Sequence, residues 1–147
     1  EERELTMLVR LMYVSRAADP LSTDALGAIL RRSRQDNQAS GITGLLCLSG
    51  GSFLQVLEGG RSQVSALYNR IAADARHRDV VLLSYEEISE RRFAGWAMGM
   101  IELARLNPAL LLKYSEAAVL DPYALSGRVA MALFEELIAT ASVSCSP

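Results

Sequence analysis

Between Leu5 and Ser15 the chain reads L-T-M-L-V-R-L-M-Y-V-S, with Met7, Val9, Leu11 and Tyr13 on one side of an extended backbone and Leu8, Met12 and Val14 on the other. A run with two apolar sides predicts a strand covered on both faces. After Asp19-Pro20 the period changes to that of a helix: Leu26, Ile29, Leu30 and Ser33 recur at helical spacing, with Ser22 or Thr23 as the cap. This predicts a helix from about Thr23 to Asp36. The glycines of Gly41-Ile42-Thr43-Gly44 break the pattern, and Ile42 to Leu48 and Phe53 to Leu57 then read as two strands joined through Ser49-Gly50-Gly51-Ser52. Val64, Leu67, Tyr68, Ile71 and Ala75 mark a second amphipathic helix that finishes near Arg76-His77-Arg78. Val80 to Tyr85 predicts a fourth strand, and Trp96 to Leu103 a fifth.

The order β-α-β-β-α-β plus one strand predicts an α+β fold, a ferredoxin-like sandwich with both helices on one face of the sheet. The other face needs a cover. Asn107-Pro108 and Asp121-Pro122 each set a capping residue before a proline suited to the first helical position, so two C-terminal helices are expected to supply it. The expected organisation is a core over residues 5–104 and a helical extension over residues 105–147 that packs on the sheet.

Composition narrows the chemistry. The 147 residues, half of them apolar, suit one globular unit that buries roughly two thirds of its unfolded surface. Acids and bases are scattered and the formal charge is -2, so no broad basic face for nucleic acid is expected. Cys47 in a strand and Cys145 in the tail do not make a disulfide framework, which fits a reduced, cytoplasmic setting. No apolar stretch approaches the ~20 residues of a membrane span, and Glu1-Glu2-Arg3-Glu4 is not a secretory signal. The single histidine, His77, leaves no multi-histidine metal site and makes hydrolytic triad chemistry an unfavourable reading.

The informative signal is polarity in positions that belong to the core. Gln55 shares a strand face with Phe53 and Leu57, so an amide is aimed into an apolar layer where an unpaired group costs about 1–3 kcal/mol. The buried stripe of the first helix turns polar at Ser33 and Asn37. Tyr13 puts a phenol among Met7, Val9 and Leu11, and buried tyrosine hydroxyls find acceptors. These groups either satisfy one another and the backbone or converge on a planar ligand with an edge of donors and acceptors; periodicity alone does not separate the two.

Five fragments occur in order: L-V-R-L-M-Y-V-S, S-R-Q-D-N-Q-A-S-G-I-T-G-L-L, G-S-F-L-Q-V-L-E-G, D-A-R-H-R-D-V and R-R-F-A-G-W-A-M. Their order and spacing resemble those of BLUF domains, the flavin-binding blue-light sensors, from about Leu8 to Leu103. The resemblance implies a flavin held without a covalent bond between the two helices, FAD by default, with FMN or riboflavin compatible with the same contacts. It implies that Asn37 bonds one edge of the ring system, that Gln55 lies between flavin and Tyr13, and that Ser33 lines the pocket beside the apolar walls Ile29 and Ile71. Arg76 and His77 match a segment where positive charge can meet the flavin phosphate, although basic residues near a helix C-terminus are favourable without any ligand. Trp96 and Met98 match the W-x-M of the fifth strand, and alternation predicts both on one face of it. Asp36 departs from the family, whose members often carry Asn or His there.

The resemblance further implies a photoreceptor and not an enzyme: Tyr13 gives an electron and a proton by way of Gln55, whose hydrogen-bond pattern changes. Output is expected through the fifth strand and the C-terminal helices, from a short stand-alone module that binds a second copy of itself or a downstream protein. The rival readings are a ferredoxin-like RNA-binding module, a ligand-free protein-interaction domain, and a small acyl-phosphate hydrolase using Arg76 and Asn37. The first lacks aromatic platforms and a basic surround.

Overall fold

In the computed structural model, which describes residues 7–140, the first apolar run forms β1 (Leu8–Ala17), and Val9, Met12, Tyr13 and Val14 are all buried, as its two-sided pattern requires. Expectations on Glu1 to Glu4, Leu5 and Cys145 lie outside the described residues. Helix α1 (Thr23–Ser40) starts where the Ser22 side chain accepts from the Ala25 N–H. It runs past the expected Asp36 because nothing stops it before Gly41, whose φ of 70° places the left-handed residue that closes a helix. The hairpin follows as β2 (Thr43–Ser49) and β3 (Ser52–Gly60), then α2 (Arg61–Ala73) and β4 (His77–Ile88).

The five strands stand in the order β4-β1-β3-β2-β5, with β5 (Gly99–Glu102) parallel to β2 and the other neighbours antiparallel. This is the expected ferredoxin-like sandwich. Val9, Leu11, Leu46, Phe53 and Leu57 meet Leu30 of α1 and Val64 of α2 on one side. On the other side Met12, Leu45, Cys47, Leu54 and Val56 meet helices α3 (Pro108–Tyr114) and α4 (Gly127–Ala139) through Leu111, Leu133, Phe134 and Leu137. Gly44 permits the tight pairing of β2 with β3, since a Cβ there would sit 2.0 Å from the Val56 carbonyl oxygen.

Three expectations need correction. His77 opens β4 and does not trail α2, which already ends at Ala73. Asp121-Pro122 starts only a 3-10 turn (Pro122–Ala124); α4 begins later, where Ser126 accepts from the Val129 N–H, and its residues Val129, Met131 and Ile138 pack toward the core cluster. The fifth strand is only Gly99–Glu102, so Trp96 and Met98 lie in the loop before it. Alternation therefore does not govern them: half-buried Trp96 packs against the cluster that the sheet forms with the C-terminal helices, whereas fully buried Met98 belongs to the cluster on the α1 and α2 side.

The cause is a charge that periodicity did not flag. Glu58 of β3, 0% exposed, accepts from Arg10 Nε at 2.8 Å and from the backbone N–H groups of Arg92 at 2.9 Å and Phe93 at 2.7 Å. Arg10 is its direct cross-strand partner on β1 and reaches on to Glu86 at 2.8 Å. The loop is thus pulled onto β3, and Arg92 continues to Glu135 of α4 at 3.1 Å. Removing one partner of such a buried pair leaves the other uncompensated. Glu58→Ala is expected to lower unfolding free energy by about 3–5 kcal/mol in urea titrations; a loss under about 1 kcal/mol contradicts this account.

Candidate functional site

A cavity of about 350 Å³ opens between the sheet and helices α1 and α2. Its floor comes from the strands through Tyr13, Leu46, Phe53 and Gln55, because the two-residue period turns these side chains to one face. Helix α1 contributes Ile29, Ser33 and Asn37 at one-turn intervals, and α2 contributes Leu67 and Ile71. Ile29, Leu67 and Ile71 are only half-buried, as walls of an open space are.

On the floor, Tyr13 and Gln55 are direct cross-strand partners, and the buried phenol donates to Gln55 Oε1. Gln55 Nε2 lies 3.3 Å from Met98 Sδ. Burial, and less so neighbouring Tyr68 with ring centres 5.8 Å away, pushes the Tyr13 pKa up, so the phenol keeps its proton. Asn37, 3% exposed, gives one amide hydrogen to the Ala97 carbonyl at 2.8 Å, which leaves its second hydrogen and its side-chain oxygen for other partners. Ser33 makes no side-chain hydrogen bond among the described residues. Arg34 donates to the Met98 carbonyl at 3.0 Å, so α1 holds the same loop twice.

His77 Nδ1 lies 2.9 Å from the buried Ser15 hydroxyl, and its ring packs 5.3 Å from Phe53. Burial lowers its pKa, against the raising effect of Asp74. At the rim Arg76 grips Asp74 at 2.6 Å, and its hydrogen bonds bring the Asp74 carboxyl down to about 2. Eight expected site residues, Tyr13, Ile29, Ser33, Asn37, Gln55, Ile71, Arg76 and His77, thus line one cavity. Met98 joins them through Gln55, and Trp96 does not.

A family profile described as "BLUF: Sensors of blue-light using FAD" matches residues 8–99, more than half of the chain. The chain belongs to the BLUF family. It is similar to photoactivated adenylate cyclase subunit alpha of Euglena gracilis, 43% identical over 84 residues, a match that spans 57% of this chain but only 8% of that protein. Among solved BLUF structures, the dark state of BlrB superposes with a TM-score of 0.77 at 33% identity, covering 92% of this chain and 98% of that one. Klebsiella pneumoniae BlrP1 with FMN and cyclic diGMP gives 0.68 at 31% identity over 92% of this chain and 35% of that one.

The cavity fits the flavin that BLUF domains bind. It falls within the roughly 300–1,000 Å³ of small-molecule sites, Ile29, Leu67 and Ile71 give it apolar walls, and the Ser33 hydroxyl and the partly used Asn37 amide leave hydrogen-bonding capacity in its lining. Sequence reasoning missed Arg34, Arg32 and Arg70; Arg34 precedes Asn37 by three residues, a helical neighbour that spacing alone identifies.

Because the His77 pKa is lowered, the unfolded chain takes up a proton near pH 6.5 that the folded chain still refuses. Stability is therefore full above that pH and falls as pH drops through it toward the lower folded value. Urea midpoints at about pH 7.5 and 5.5 are expected to differ, and His77→Gln to flatten the difference; an unchanged slope in the variant contradicts the assignment.

Proposed function

We propose that this chain is a flavin-binding blue-light photoreceptor in which Tyr13 and Gln55 form the photoactive pair. The observation that carries the reading is the unbroken contact from the Tyr13 hydroxyl through the Gln55 amide to Met98 Sδ on the floor of the cavity. FAD is the expected cofactor, in line with the family description, and the BlrP1 structure with FMN shows that a relative takes a second phosphorylated flavin. Asn37 and Ser33 hold the polar edge, Ile29 and Ile71 enclose the ring system, and Arg76 and His77 lie toward the phosphate end. When bound, flavin supplies light absorption and one-electron chemistry.

The protein's own part is to hold and redirect a proton. Tyr13 keeps its proton at the hydroxyl oxygen, already donated to Gln55 Oε1, so withdrawing an electron from the phenol drives that proton along an existing bond. An amide carries a donor and an acceptor, so rotation or a tautomer change reverses what Tyr13 and the ligand each face. Met98, a weak acceptor, then loses the N–H that holds it. No substrate is turned over in this reading. Output passes through β5 and the C-terminal helices to a second copy of the chain or to a separate protein, in a reducing, cytoplasmic setting where the buried Cys47 stays a thiol. Among the described residues, no helix is long and apolar enough to cross a membrane.

The purified protein is expected to be yellow, to shift its visible absorption slightly to the red under blue light and to recover in darkness. Tyr13→Phe and Gln55→Leu are expected to keep the flavin and abolish the shift. Gln55→Leu should also lose about 1–3 kcal/mol of stability, because the Tyr13 hydroxyl is left buried without its acceptor. A wild-type photocycle in both variants defeats the proposed roles. Oligomer size and partner binding that ignore light would together defeat the output.

A further inference from the structure

Strand β4 is the outer strand at the end of the sheet opposite β5, and among the described residues only β1 pairs with it. Its middle is apolar yet open. Val81, Leu82 and Tyr85 are 44%, 47% and 43% exposed, three of the seven large apolar side chains that stand exposed among the described residues, so such surface is concentrated on this edge. Its ends carry unmatched charge. Arg78 is exposed, makes no side-chain hydrogen bond or ion pair among the described residues, and has the like charge of Arg16 across the ladder. The carboxylate next to it, Asp79, is taken by Arg16 at 3.4 Å. At the other end Glu86 shares the guanidinium of Arg10 with buried Glu58, both at 2.8 Å, so two carboxylates meet one positive charge. Arg78 and Glu86 pair with Arg16 and Arg10 of β1, an even number of residues apart, which places both on one face of the sheet. Leu82 lies midway between them in sequence.

We propose that two copies of this chain dock edge to edge through β4, antiparallel about a two-fold axis at Leu82, and that they do so in darkness. An edge strand with unpaired backbone groups and exposed apolar side chains is a template for another strand. Charge selects the occupant. Turning β4 about Leu82 brings Arg78 of each copy opposite Glu86 of the other, on the same face, so the surplus charges at the two ends offset each other. The same turn sets Leu82 against Leu82 and Val81 against Leu83, which covers the open middle. An axis at Glu86 instead sets two carboxylates directly opposite, an unfavourable pairing. The register of β4 against β1 slips between Met12 and Tyr13, and such an irregularity twists the strand, so the contact is short. Because β5 is the far edge of the sheet, this dimer leaves β5 free for the output described above and does not depend on bound flavin.

The test is sedimentation of the purified full chain in darkness at concentrations up to about 500 µM, since small interfaces give weak, transient pairs. Wild type is expected to form a dimer. Leu82→Lys, at a half-exposed site, and Arg78→Glu are each expected to weaken it at least tenfold, about 1.4 kcal/mol, without lowering the melting temperature of the dilute chain. Leu112→Lys on α3, at a site 53% exposed, is expected to leave the dimer intact. A chain that stays monomeric, with this edge left to a different protein or to none, overturns the proposal. A dimer that keeps its strength in both β4 variants overturns it as well. Register is checked in a Cys145→Ser chain, whose remaining Cys47 is buried. Mild oxidation is expected to cross-link Leu82→Cys across the axis and to spare Glu87→Cys, which the two-fold turn holds far from its copy. Equal cross-linking of the two overturns the register and the charge pairing with it, and this measurement decides even where Leu82→Lys fails to fold.

Discussion

A carboxylate with no solvent exposure sits on the central strand of this fold, and the surrounding chain is arranged to satisfy it. Desolvating a carboxylate costs several kcal/mol, which only a close counter-charge and further hydrogen bonds offset. Glu58 obtains the charge from Arg10 directly across on β1 and the remaining donors from the main chain at residues 92 and 93. The last of these contacts fixes position. Because the loop is fastened to β3 there, residues 96–98 return toward the sheet and reach the α1 side, where Met98 meets Gln55. Gln55 lies three residues before Glu58, roughly 10 Å along the strand, so one strand aims the Gln55 amide at one face and anchors its neighbouring loop from the other.

That division of labour rests on the period of a strand. Tyr13 and Gln55 are paired in register and point to the same side, so their hydrogen bond is set by sheet geometry and not by mobile loops. Helices α1 and α2 then stand off far enough to leave a cavity in place of a packed core. Leu30 and Val64 reach the sheet, while Ile29 and Ile71 stop short and remain half-buried. The buried amides of Asn37 and Gln55, costly in a core without partners, both line this space.

The same period explains what the sequence disclosed and what it hid. Tyr13, Gln55, Ser33 and Asn37 stood out because each interrupted an apolar stripe whose direction was legible, and the structure gathers all four at one cavity. Glu58 obeys the same rule, two residues beyond Val56 on the face turned to the C-terminal helices, but a charge near Gly59-Gly60 reads as a strand end. Pairing it with Arg10 needed the register of β1 against β3, which is a long-range fact. Trp96 and Met98 share one face only where their segment is a strand. In the loop, the carbonyls of residues 96, 97 and 98 bond to Gly44, Asn37 and Arg34, so local geometry replaces alternation. The pairing of Arg76 with Asp74 was also invisible, since it depends on where α2 stops.

These contacts bear on how far one rearranged amide can carry a signal. A single hydrogen bond contributes about 0.5–1.5 kcal/mol net, enough to change a two-state population by roughly two- to tenfold. Reversing a population from 1:99 to 99:1 takes about 5.5 kcal/mol, which a weak N–H to thioether contact at Met98 does not provide. A complete switch therefore requires that Met98 move together with the bonds that hold its loop, from Arg34, Asn37 and Gly44 on one side and Glu58 on the other. Of these, the Glu58 anchor is the most costly to break because it would strand buried charge. In the proposed photocycle the moving segment would pivot on residues 92 and 93 and swing at residues 96–98, which would confine the displacement to the stretch between that anchor and β5.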